Sequence, residues 1–87
     1  MINIDSLLAN YEEHPDYSVK PIKNNKINIE FVKSNSKRKN VLVELYRPTG
    51  RFYLNKKEDW VNIRDLEGIA SNEDVMVWIE EDSELLK

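Results

Sequence analysis

The side chains that could do chemistry are few. His14 is the only histidine and there is no cysteine, so no His pair, no HExxH zinc motif and no thiolate nucleophile or ligand can be assembled. A Ser-His-Asp arrangement would have to be built on His14 alone, and its place beside Pro15 reads as a helix end facing water. Gly50 and Gly68 are the only glycines and stand apart, so neither a P-loop nor a GxGxxG phosphate cradle is present. The carboxylates of Glu80, Glu81, Asp82 and Glu84 lack the Asp-x-Asp-x-Asp-Gly spacing of a calcium loop and read as a solvated acidic face. The expectation is a chain with no catalytic, cofactor-binding or metal-binding residues.

What remains is binding, and the charge order shows where. Residues 1–19 carry four acids and no base; residues 20–57 carry eleven Lys or Arg against Glu30 and Glu44; residues 58–87 carry ten acids against Arg64 and Lys87. A formal net charge of −3 therefore hides segments of −4, +9 and −8, the pattern of a polarised surface. The densest basic stretch is KSNSKRKN at 33–40, with Lys33, Lys37, Arg38 and Lys39. Tyr46, Arg47, Arg51 and Tyr53 are of the types favoured at protein interfaces and able to stack bases. Glu73, Asp74, Glu80 and Glu81 could imitate a row of phosphates before a basic partner.

These residues need elements to hold them. An 87-residue chain makes one small domain with a modest core. Ile4, Leu7, Leu8 and Tyr11 follow helical spacing, capped by Asn3 or Asp5 and ended at His14-Pro15. A short strand over Tyr17–Lys20 is stopped by Pro21. Period-two alternation then places Ile27, Ile29 and Phe31, Val41, Val43 and Leu45, and Phe52 and Leu54 on an inner face, with Leu42, Glu44, Tyr46, Arg51 and Tyr53 opposite. The turn Arg47-Pro48-Thr49-Gly50 sets Val43 against Leu54 and Leu45 against Phe52. KSNSKRKN becomes a hairpin tip, since unpaired cations stay in water. A capping signal at Asn55-x-x-Glu58 suggests a helix from Lys56 towards Gly68, with an irregular or extended segment as the alternative. A second, Ser71-x-x-Asp74, starts a helix over 72–86 with Val75, Trp78, Ile79, Leu85 and Leu86 on one face and Asp82 the misfit, with a strand over Val75–Ile79 as the alternative. The predicted fold is α+β: an N-terminal helix, an antiparallel meander of about four strands, and an acidic, mainly helical C-terminal part. No apolar run approaches the roughly 20 residues of a membrane span and the N-terminus has no secretory pattern, so a cytoplasmic protein is expected.

The opening NIDSLL, followed by DYSVK at Asp16–Lys20, resembles the start of a family of small phage anti-CRISPR proteins that inhibit the type II CRISPR nuclease. The resemblance covers about the first twenty residues. It implies a short N-terminal helix, a three-stranded antiparallel sheet and further helices, and occupation of the nuclease's DNA-motif site by acids. Asp16 and Tyr17 are the positions it carries over as contacts. That family's loop between its second and third strands is acidic, whereas here it is KSNSKRKN. The first expectation is a stoichiometric inhibitor that binds a larger host protein such as a defence nuclease. A nucleic-acid-binding module is the second, and an immunity or antitoxin protein the third.

Overall fold

The structure is a computed structural model describing residues 2–34, 40–54 and 59–87. It is an α+β fold, with two helices on one face of a five-stranded antiparallel sheet. Helix α1 (Ile4–Glu12) starts where the Asn3 side chain accepts from Ser6 N–H, a donor the helix itself leaves orphaned. Strands β1 (Tyr17–Ile22), β2 (Lys26–Phe31), β3 (Val41–Tyr46), β4 (Arg51–Leu54) and β5 (Asp59–Asn62) pair in sequence order. A single turn, α2 (Ile63–Leu66), leads to α3 (Asn72–Leu86).

The β3–β4 hairpin has the register its alternation and loop length require: Val43 faces Leu54 and Leu45 faces Phe52. Gly50 closes its turn at φ +71°, donating to the Tyr46 carbonyl at 3.1 Å, a backbone shape that glycine adopts without strain. Between β1 and β2, Asn24 and Asn25 supply positive φ values, which Asn tolerates better than other non-glycine residues. Pro21 does not stop β1. It sits within the strand opposite Ile27, and β1 is an edge strand, so its missing N–H removes no bond on the open side.

One continuous core joins the layers. Leu7, Leu8 and Tyr11 of α1 and Val75, Ile79 and Leu86 of α3 are buried against Ile29, Phe31, Val43, Leu45, Phe52 and Leu54. Tyr17 rings the centre, edge-on to Tyr11 at 4.9 Å and hydrogen-bonded through its hydroxyl to Ser83 Oγ at 3.0 Å. The helix starts are tied by a reciprocal pair: Asn3 N–H donates to Asn72 Oδ1 and Asn72 Nδ2 donates to the Asn3 carbonyl. At the other end of α3, Ser34 Oγ donates to the Leu86 carbonyl.

Three further expectations are corrected. The sheet has five strands rather than four, because residues 59–62 pair with β4 instead of continuing a helix from Lys56. Leu42 was expected opposite the core but is 1% exposed. The β2–β3 register slips between Ile29 and Glu30, leaving Leu42 as the extra residue of a bulge, and a bulge can turn two consecutive side chains to one face. On α3 the buried stripe is Val75, Ile79, Asp82, Ser83 and Leu86, while Leu85 is 66% exposed. The Ser71–Asp74 capping box and the helix bounds are as expected.

Candidate interaction surfaces

With both long helices on the inner face, the outer face of the sheet is covered by no helix among the described residues. The register lays two rows of side chains across it. One runs Ile22, Lys26, Tyr46, Arg51, Asn62; the next runs Lys20, Asn28, Glu44, Tyr53, Trp60. Neighbouring strands are about 4.8 Å apart and rows about 6.8 Å apart, so the aromatic rings and long cations meet. Tyr53 and Trp60 lie directly opposite each other, with centroids 5.9 Å apart. The Arg51 guanidinium stands 5.1 Å from the centre of the Trp60 ring, and Lys26 Nζ reaches to 6.0 Å. Lys26, Tyr46, Arg51 and Trp60 line an open groove of about 230 Å³. Beside it Asn28 is buried, and its Oδ1 has no hydrogen-bond partner among the described residues.

The opposite side of the molecule is acidic. Neither α1 nor α3 contains a Lys or Arg. Glu12, Glu13, Glu73, Asp74, Glu80, Glu81 and Glu84 are all exposed. At a rise of about 1.5 Å per residue, Glu80 and Glu84 are about 6 Å apart along the α3 axis on one face, and Glu73 falls on the same face two turns earlier. Asp74 is the exception: it caps the helix, accepting from Ser71 N–H and Oγ.

The residues singled out in the sequence are sorted by the fold. Tyr46, Arg51 and Tyr53 come together on the outer face. Arg47 lies in the β3–β4 turn, ion-paired to Asp5. Lys33 pairs with Asp16 at 2.8 Å, and the resulting hydrogen bond holds the Asp16 carboxyl below the usual range. Tyr17 is a core residue, not a surface contact. His14 accepts from Asp16 N–H at its Nδ1 and packs edge-on against Tyr17, closing the turn between helix and strand. Lys37, Arg38 and Lys39 lie outside the described residues.

Trp60 is the site residue that sequence reasoning missed. Its signal was the alternation Trp60, Val61, Asn62, Ile63, which continues the in-out pattern of the preceding hairpin once residues 59–62 are taken as a strand.

No protein family, curated protein or solved structure matches this chain. Among the described residues no helix is long and apolar enough to cross a membrane.

Proposed function

We propose that this chain is a non-catalytic inhibitory protein that acts stoichiometrically by laying its acidic helical layer on a basic surface of a larger host protein. The observation that carries this reading is the absence of any base from α1 and α3, set against seven exposed acids. A predominantly acidic surface steers and orients an oppositely charged partner, even with Glu84 paired to Lys87 at the end of α3 and Asp5 to Arg47. A host protein that handles nucleic acid fits this chemistry, and a defence nuclease is one such protein. The N-terminal resemblance to small anti-CRISPR proteins supports the same class.

The test is direct. The purified chain is titrated into a type II CRISPR nuclease cleaving its target DNA, and is separately immobilised to capture proteins from a host lysate. Inhibition that ends at an equimolar ratio is expected, or a captured nucleic-acid-handling protein that heparin releases. Glu80→Lys with Glu81→Lys should weaken either interaction and leave the fold intact. Turnover of a substrate by the purified chain, or a partner held equally by the double variant, overturns the reading.

A further inference from the structure

The inhibitor reading leaves the other face of the molecule unused. We propose that the outer face of the sheet binds single-stranded nucleic acid, with the groove between Tyr46 and Trp60 taking a base and Lys26 and Arg51 holding the adjoining phosphates. This stands on residues that the acidic layer does not contain, so either proposal can fail alone.

Three observations carry it. First, stacking on an exposed sheet needs aromatic rings in adjacent rows, and Tyr46, Tyr53 and Trp60 are so placed, half-buried and on one face. Base stacking on such rings is tolerant of sequence because every base has a π-face. Second, the cations lie at the rings: Arg51 at 5.1 Å and Lys26 at 6.0 Å from the Trp60 centroid. In the free protein they rest on the indole; an incoming base can replace Lys26 there and leave both charges beside the groove for phosphate. Third, charge sets the orientation. Glu44 occupies the middle of the Asn28–Trp60 row, so phosphates are repelled there and favoured along the Lys26–Arg51 row. Lys20 is occupied by Glu30 at 3.2 Å.

Two arguments from sequence weigh against nucleic acid: acidic segments flank the basic middle, and the tyrosines lie at the far end of the sheet from residues 33–40. Folding answers both. The acids of α1 and α3 sit on the helical layer across the sheet, and the rings carry their own cations without the tip.

Trp78→Phe leaves Trp60 as the only tryptophan and a reporter of stacking. A twelve-residue oligothymidylate and the matching oligouridylate are titrated into this variant from 50 to 300 mM salt, with heparin and a DNA duplex as comparisons. The expected result is quenching of Trp60 emission by the single strands, with micromolar affinity near 100 mM salt. Two phosphates neutralised predict a log–log salt slope of about −1.4. Arg51→Gln with Lys26→Gln should weaken binding at least about tenfold and flatten that slope. Trp60→Leu, read by anisotropy of a labelled oligonucleotide, should weaken it to a similar degree, and Tyr53→Leu serves as a second ring variant if Trp60→Leu does not fold. Glu80→Lys with Glu81→Lys should retain Trp60 quenching. No quenching by either oligonucleotide, equal binding by the ring and cation variants, or heparin binding without preference for single strands each overturns the proposal. So does a protein partner that holds this face while the oligonucleotides do not.

Discussion

The two faces of this sheet are made from alternate residues of the same strands, yet they differ in nearly every physical respect. The inner face is aliphatic and aromatic, closed by two helices whose outward surfaces carry acids and no base. The outer face is open, and its rings and cations rest on each other. A strand buried on one side only can assign core and surface independently, one residue apart. That independence lets a chain of 87 residues carry two surfaces of opposite character without giving up core positions.

Adjacent residues offer the largest break of this comparison. Phe52 and Tyr53 are neighbours in β4, one 3% exposed in the core and the other half-buried outside. Phe52→Ala should cost about 3–5 kcal/mol, much of the stability of so small a domain. Tyr53→Ala, which forfeits one aromatic pairing at a half-open site, should cost about 1 kcal/mol. Urea denaturation of both variants checks it, and similar losses would mean that the faces are not distinct.

The strength of alternation explains what the sequence discloses. The β3–β4 pairing was legible because each strand alternates around a four-residue turn, so register followed from counting. Residues 59–62 were not, since a four-residue strand holds too few periods to outweigh a capping signal and is recognisable only beside β4. Leu42 was hidden because a bulge is fixed by the partner strand. On α3 the spacing of 75, 79, 82, 83 and 86 is a regular helical stripe, but Asp82 and Ser83 look polar. Their burial, with Ser83 Oγ bonded to Tyr17 and to the Glu80 carbonyl, could not be read from residue type. The outer-face site was half legible: Tyr46, Arg51 and Tyr53 shared a strand face, while Trp60 awaited β5.

The helical layer should also show itself at high pH. Burial, followed by the nearby Glu80 and Tyr17, pushes the Tyr11 hydroxyl well above its ordinary value of 10.0. The unfolded chain releases this proton near pH 10 while the native one keeps it. Stability is therefore whole below pH 10 and falls above it, by up to about 1.4 kcal/mol per pH unit. Denaturation midpoints from pH 9 to 11 should fall more steeply for the native chain than for Tyr11→Phe, and parallel curves would refute the assignment. A smaller effect belongs to the start of α3, where Ser71 and Asp74 cap each other's backbone. Ser71→Ala should cost about 1 kcal/mol, visible in a urea melt, and should not alter oligonucleotide binding on the far face.

The smallest expected effect concerns the two ion pairs that stitch the layers together, Asp5–Arg47 and Asp16–Lys33. Lys33, Arg47 and Asp5 are exposed, at 68%, 49% and 76%, while Asp16 is half-buried at 32%, so water and salt weaken both attractions, that of Asp5 and Arg47 the more. Lys33→Ser with Arg47→Ser should move the melting midpoint by no more than about 2 °C at physiological salt. The Asp16 pair has a defined pH sense. Its carboxyl is held low by Lys33, so the contribution is present above the ordinary carboxylate range and is lost as pH falls through the lowered value; Lys33→Ser should flatten that limb. Arg47 sharpens the comparison between faces further. It follows Tyr46 directly and carries the same charge as Arg51, but Asp5 of the helical layer already holds it. Arg47→Ser should therefore leave oligonucleotide affinity within about twofold of the native value, against the tenfold or greater loss for the Arg51 and Lys26 pair. A loss as large as theirs would show that Arg47 leaves Asp5 to join the groove, and that the two layers are coupled through that contact.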